Sequence, residues 1–357
     1  MTHHSPRRRA LGLISAVGAA ALLLASCGSS GDGEETATDD AEQTETEDGD
    51  GDAGDLDEIS IGISQFVQHA ALDASTEGFK QAILDAGYVE GETVTFDEQN
   101  AAGEVATAST IAQNFANSDL DLVLAVATPS AEAAAQNITD TPILFTAVTE
   151  PVEAGLVDSN EEPGANITGT SDINPVADQI ELIMEIVPDA SSVGIVYSSG
   201  EVNSEVQVNL AKEKAEELGI EIVEATVSNS SEIQQSTESL GDVDAIYVPT
   251  DNDVVAGLSA LIKVAEDKEI PVIGAEAGTV EDGAIATLGI DYTDLGYQTG
   301  EMALRILDGE DPATMPVETQ NEYQLIVNPD AAERMGITLP DGFVDEADDV
   351  VETTNED

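Results

Sequence analysis

The chain is 357 residues long and carries 73 Asp plus Glu against 10 Lys plus Arg, a formal net charge of −63. At roughly 100–200 residues per domain, that length excludes a single small domain and suits two domains with appendages. The charge excludes a nucleic-acid backbone or an anionic bilayer as partner, while 41% hydrophobic residues is ordinary for a chain that buries sizeable cores, so the acidity is a surface property.

In chain order, Arg7, Arg8 and Arg9 precede an apolar run from Ala10 to Ala25, the layout of an export signal. The run is shorter than the roughly 20 residues of a membrane span. It ends in Leu24-Ala25-Ser26 before Cys27, the only cysteine, an arrangement that resembles a bacterial lipobox. That resemblance implies a diacylglycerol on the Cys27 sulfur and removal of residues 1–26 as a signal peptide. A lone thiol also excludes an internal disulfide, and the arginines leave open whether export uses the twin-arginine route. Residues 27–58 are rich in Gly, Ser, Thr, Asp and Glu, a composition that buries too little apolar surface to order itself and reads as an acidic tether. Residues 345–357 read as a frayed acidic tail.

Between them, short apolar runs alternate with amphipathic stretches. Strands are expected at Ile59–Ile63, Val94–Asp97, Leu120–Ala127, Ile143–Thr146, Val193–Tyr197, Ile220–Ala225, Ala245–Val248, Pro271–Gly274 and Ala284–Leu288. Phe79, Ile83 and Leu84 mark one helix face ending near Gly87, and Ile180, Ile183, Met184 and Val187 another that stops at Pro188. Strand-helix repetition with continuous apolar strands predicts α/β architecture, with parallel sheets covered on both faces. The repetition comes in two blocks, with Pro163-Gly164 and Asn166 to Gly169 marking the crossing, so two doubly wound lobes are expected.

Ligands of such sheets bind beyond the carboxyl ends of the strands. The residues there form a polar set: Ser64, Gln65 and His69; Thr128-Pro129-Ser130; Thr146; Ser198 to Ser204; and Asp251-Asn252. Thr128 is placed to cap a helix that Pro129 starts, and free amide donors at such a start favour a carboxylate. Glu201 and Asp251 are placed to balance a ligand ammonium once water is excluded. A hydrolase using Ser198 or Ser199 with His69 is a poor fit, because the chain has no Gly-x-Ser-x-Gly elbow, no His-Glu-x-x-His and one histidine in its body. It also has no phosphate loop, so any ATP use belongs to a partner.

Ile61-Gly62-Ile63-Ser64-Gln65 with His69 and Gly78-Phe79, Ala127-Thr128-Pro129, Phe145-Thr146-Ala147-Val148 and Asn166-Ile167-Thr168-Gly169 follow one another in the first half. Gly194-Ile195-Val196-Tyr197, Glu201-Val202-Asn203-Ser204, Val248-Pro249-Thr250-Asp251-Asn252 and Asp291-Tyr292 follow in the second. This ordered series, over residues 59–340, resembles the ABC-transporter solute-binding lipoproteins that include tryptophan- and tyrosine-binding proteins. The resemblance implies the type I periplasmic-binding-protein fold, two lobes joined by three crossovers that close on a small zwitterion, an aromatic amino acid such as Trp, Tyr or Phe, and a function of delivering it to a membrane permease driven by a cytoplasmic ATPase. A signalling lipoprotein that senses its ligand with the same cleft is the alternative. Residues 59–168 with about 292–309 would form the first lobe, and 169–291 with about 310–344 the second. By the same resemblance Thr128, Ser130 and Thr146 would hold the ligand carboxylate and Glu201 and Asp251 its ammonium. Gln65, His69, Asp172, Asn203, Ser204 and Asn252 would line the rest. No metal, cofactor or catalytic residue is expected, and the localisation implied is the outer face of the cell membrane.

Overall fold

The computed structural model describes residues 56–351, so Cys27, the export segment and most of the tether lie outside the described residues. The chain runs β1 (Ile59–Gln65), α1 (Ala70–Asp85), β2 (Val94–Asn100), α2 (Val105–Phe115), β3 (Leu122–Val126), α3 (Thr128–Asn137), β4 (Ile143–Thr146) and β5 (Ile167–Ser171). It crosses to α4 (Val176–Ile186), β6 (Ser192–Ser198), α5 (Val202–Leu218), β7 (Glu221–Val227), α6 (Ile233–Ser239), β8 (Ala245–Val248), α7 (Asn252–Ala256), α8 (Leu258–Lys268), β9 (Val272–Gly274), α9 (Ala277–Glu281) and β10 (Ala286–Gly289). It then returns through α10 (Tyr292–Leu307) and β11 (Glu318–Thr319), and ends with β12 (Gln324–Val327), α11 (Pro329–Arg334) and β13 (Asp349–Val350).

The strands form two sheets, ordered β11-β5-β4-β3-β1-β2 and β13-β12-β10-β9-β8-β6-β7. The first is parallel throughout, and the second is parallel except for the β10–β12 pair. Every residue of β3 is buried, as a parallel strand covered on both faces requires. Strand order reverses between β1 and β3 in one sheet and between β6 and β8 in the other, which puts a crevice at the carboxyl end of each. Each lobe has its own apolar core, and α10 belongs to the first: Leu295, Met302 and Ile306 pack there. The α1–α10 contact is close because it is built on glycine. A methyl added at Gly78 would run into the Thr293 carbonyl oxygen, and one at Gly296 into that of Ser75.

The expected strands are present, with ends that move by up to three residues. Three features differ. The segment from Asn166 to Gly169 is not a crossing, because Ile167 begins β5 and pairs with Ile143, so the first sheet continues to Ser171. With one apolar residue, Ile167-Thr168-Gly169-Thr170-Ser171 shows no hydrophobic period to read, and Gly169 is there because a side chain would run into the Phe145 carbonyl oxygen. The chain also stays with the first sheet beyond residue 310, since Glu318 and Thr319 pair with Thr170 and Ser171. Finally, Asp349 and Val350 in the acidic tail pair with Ile326 and Val327. Backbone pairing ignores side-chain charge, and Asp348 helps by accepting from the Leu325 amide at 2.9 Å. Among the described residues no helix is long and apolar enough to cross a membrane.

Candidate ligand-binding cleft

The carboxyl ends of the two sheets face each other across a small cavity of about 10 Å³. From the first lobe and its crossovers it is walled by His69, Leu72, Ala147, Thr149, Asp172 and Tyr292, and from the second by Asn203, Thr250, Asn252 and Glu276. The crossovers are tied to one another beside it. Tyr292 Oη donates to Asp172 Oδ2 at 2.9 Å, and the Ile290 amide donates to Asn174 Oδ1 at 3.2 Å.

The first-lobe rim is backbone held in an unusual conformation. Ala102, Ala127 and Ala147, each just after a strand of that sheet, have φ of 54°, 78° and 55°. Non-glycine residues pay for that region with strain, and such strain concentrates where function needs a fixed geometry. Ala127 rather than Thr128 takes the cap position of α3, so the expected capping role of the Thr128 hydroxyl does not form. Instead the buried hydroxyls of Ser64, Thr128 and Ser130 have no hydrogen-bond partner. Two of them stand in the first turn of α3, whose unpaired amides make a favourable place for an anion. Thr146 accepts from Thr170 at 3.1 Å. Gln65 is held within its own lobe, donating to Asp73 at 2.7 Å and accepting from Thr76 at 3.1 Å.

In the second lobe, Glu201 and Asp251 form a buried network behind the cavity wall. Glu201 Oε2 accepts from Asn203 Nδ2 at 3.0 Å and from Asn252 Nδ2 at 2.5 Å. Asp251 accepts from the Ser198 amide at 2.6 Å, from Ser204 Oγ at 2.7 Å and, as the cap of α7, from the Val254 amide at 2.9 Å. Burial pushes both carboxyls above the usual range, and for Glu201 the neighbouring Asp251 charge adds to it.

The acids that do wall the cavity are Asp172 and Glu276. Burial, then the Asp172 charge, pushes Glu276 up to about 8, and burial also raises Asp172. Burial lowers His69 to about 4, so the 3.8 Å approach of its Nδ1 to Glu276 Oε1 joins two neutral groups near pH 7 and is not an ion pair. The two shifts act oppositely on stability. The folded state keeps the Glu276 proton from its ordinary 4.5 to about 8, so stability falls as pH rises through that window. It excludes the His69 proton from the ordinary 6.5 down to about 4, so that contribution is lost as pH falls. Above pH 6.5 the buried carboxyls govern, Glu276 together with Glu201, which burial likewise pushes up to about 8. Stability without ligand is therefore expected to fall toward pH 8 with a slope of up to about 1.4 kcal/mol per pH unit from Glu276 alone, and Glu276→Gln should remove that part of the slope. Urea unfolding at fixed salt checks this, and an unchanged slope would show that Glu276 is ionised in the folded protein.

Of the residues singled out from sequence, the structure brings His69, Asp172, Asn203 and Asn252 to the cavity wall. Thr128, Ser130 and Thr146 lie at the first-lobe strand ends, Gln65 is engaged within that lobe, and Glu201, Ser204 and Asp251 stand one layer behind. Glu276, Tyr292, Thr149 and Thr250 were not singled out. Glu276 follows β9 by two residues, so the strand-end rule applied to that short strand would have found it. Tyr292 opens a helix after a crossover, and although Asp291-Tyr292 belongs to the series that carries the family resemblance, that pair alone assigns the ring no place in the site.

Two doubly wound lobes closing on a polar cavity, with chain crossing between them at residues 172–175, 290–291 and 320–323, define a type I periplasmic binding protein. Residues 60–351 match the model of the ABC transporter substrate binding protein family, and the chain belongs to that family. It is 44% identical over 272 residues to the tyrosine-binding protein of Clostridioides difficile strain R20291, covering 76% of this chain and 79% of that one. The structure overlays on an ABC domain from Streptococcus pneumoniae in complex with L-Trp, with a TM-score of 0.80 at 34% identity, over 82% of this chain and all of that one. Against a ligand-free, open substrate-binding protein with adhesive properties from Clostridium difficile, the TM-score is 0.64 at 44% identity, over 83% of this chain and all of that one. A poorer overlay at higher identity is what a different angle between similar lobes produces.

Proposed function

We propose that this substrate-binding protein captures an aromatic amino acid, tyrosine or tryptophan, outside the cell and delivers it to an ABC permease driven by a cytoplasmic ATPase. The observation that carries the reading is the cavity between the lobes, walled by buried polar groups from both, in a chain whose relatives include a tyrosine-binding protein and a tryptophan complex. The unpartnered hydroxyls of Thr128 and Ser130, with Thr146 beside them, hold the ligand carboxylate at the start of α3. His69, Asp172, Asn203 and Asn252 surround its other atoms, Gln65 and Ser204 support the rim, Glu201 positions the two asparagines and Asp251 holds Ser204. An aromatic amino acid is larger than the present cavity, so side chains of the cleft rearrange to admit it. Closure is the working step: contacts from both lobes stabilise one arrangement, which the permease then recognises.

A lipid on Cys27 and the acidic tether hold the body at the outer face of the membrane, and the acidic surface suits a high-salt medium. Calorimetric titration of the purified protein with the common amino acids in molar salt tests the reading. Binding of tyrosine or tryptophan well ahead of the other amino acids is expected. The chain has no Trp, so added tryptophan is also its own fluorescent reporter. Absence of binding across the panel, by protein shown to be folded, would overturn the ligand assignment.

A further inference from the structure

The ladder between β9 and β10 stops early. Their register joins one pair, Ile273 with Ala286, whereas β9 keeps three pairs with β8 on its other side. Beyond that pair a side chain takes the place of the ladder: Gln179 Nε2, on α4, donates to the Ala275 carbonyl at 3.1 Å and to the Leu288 carbonyl at 2.7 Å. Its Oε1 accepts from Tyr247 Oη of β8 at 2.6 Å. Both side chains are fully buried, and Gln179 stands with Val176, Ile180 and Ile183 on the core face of its helix. Leucine at 179 and phenylalanine at 247 would suit such a core more simply, since buried amide and hydroxyl groups cost free energy unless their bonds are made. The amide has one workable orientation, because only this one lets the hydroxyl donate and both carbonyls accept.

The two carbonyls belong to segments that matter for binding. Ala275 immediately precedes Glu276 of the cavity wall, and Leu288 lies two residues before the crossover at 290–291. The helix that carries Gln179 begins directly after the crossover at 172–175. We propose that Gln179, oriented by Tyr247, is a positioning residue for ligand capture: its one amide locks the cavity wall and the second-lobe ends of two crossovers into a single unit. The inference takes its ligand from the functional reading above. In hinge closure a few residues absorb the rotation while the lobes move as bodies. With the clamp in place the rotation is confined to the crossovers, and the wall moves with its lobe. Without it the end of β10 and the start of α9 yield as well. Ligand contacts must then order those segments before they can stabilise the closed arrangement, and affinity falls. The packing leaves little slack, since a methyl added at Gly289 would stand 3.1 Å from the Ala275 carbonyl oxygen and 3.3 Å from Asn174 Oδ1.

The test uses Gln179→Leu, Tyr247→Phe and the double variant, each shown to be folded, with two readouts. In calorimetry with whichever of L-tyrosine and L-tryptophan binds wild-type protein more tightly, Gln179→Leu should weaken binding by about tenfold and Tyr247→Phe by about threefold. The double variant should bind no more weakly than Gln179→Leu, because the hydroxyl acts through the amide. A group that only stabilises the fold lowers the urea midpoint and leaves the affinity of folded protein alone, so unchanged affinity in both single variants would overturn the proposal. Effects that multiply in the double variant would overturn the pairing of Tyr247 with Gln179. Hydrogen exchange without ligand should be faster in both variants at residues 275–278 and 288–291, with β6 and α5 as protected as in wild type. Exchange that is unchanged there, or accelerated evenly through the second lobe, would overturn the clamp. Should Gln179→Leu fail to fold, Tyr247→Phe, which removes a single oxygen, decides both readouts. Should wild-type protein bind no amino acid, the functional reading falls and the exchange pattern alone decides the clamp.

Discussion

Asp251→Ala is expected to destabilise the protein by about 3 kcal/mol, read as a lower urea midpoint at an unchanged slope. The side chain is fully buried and serves three donors: the Ser198 amide, Ser204 Oγ and the Val254 amide that opens α7. Alanine leaves all three without their acceptor, and each buried, unpaired donor costs about 1–3 kcal/mol. Part of that is offset. Asp251 is itself an acid in a buried site, and its charge raises the Glu201 carboxyl, so its removal relieves both desolvation and repulsion. The broken network wins because three donors outnumber the one unfavourable charge. Asp251→Asn, which keeps one acceptor but turns an N–H group toward another donor, should fall between alanine and wild type. A loss below about 0.5 kcal/mol for alanine would mean that other acceptors take over these donors and that the network does not hold the second-lobe rim.

The unfolding temperature is expected to rise by about 10 °C or more between 0.1 M and 2 M sodium chloride. With a net charge of −63, most carboxylates have no basic partner, and their mutual repulsion acts across about 10 Å at 0.1 M salt but about 3 Å at 1 M. Among the described residues the basic side chains are already committed, as with Lys80 to Glu98 at 2.7 Å and Arg334 to Glu266 at 2.5 Å. Chloride is the right probe, since sulfate strengthens apolar burial in any protein by exclusion from its surface. Equal melting temperatures in the two buffers would end the high-salt interpretation, leaving the acidity to serve solubility alone.

Much of the architecture was legible in the order of residues. Runs such as Leu122-Val123-Leu124-Ala125-Val126 are apolar without a break because both faces of a parallel sheet are covered, and that cause leaves a mark in one dimension. The position of the cleft followed, because strand carboxyl ends can be located once strands are. His69, Asp172, Asn203 and Asn252 were found in this way or through family resemblance. β5 was not, because it has only one apolar residue and its place depends on β4 and β11 on either side.

Which polar residue faces the ligand and which supports it was decided by tertiary structure alone. Glu201 and Asp251 sit after strand ends, as a ligand-binding acid should, yet backbone amides and asparagines from segments about 50 positions away take up their oxygens. Asp172 and Glu276 are 104 positions apart and belong to different lobes, so no spacing rule could join them. Local periodicity and composition were enough to establish the α/β class, the two lobes and the net acidity. The donor partners that leave one oxygen free and another occupied depend on contacts between distant segments, and only the folded arrangement of two sheets and their crossovers decides those.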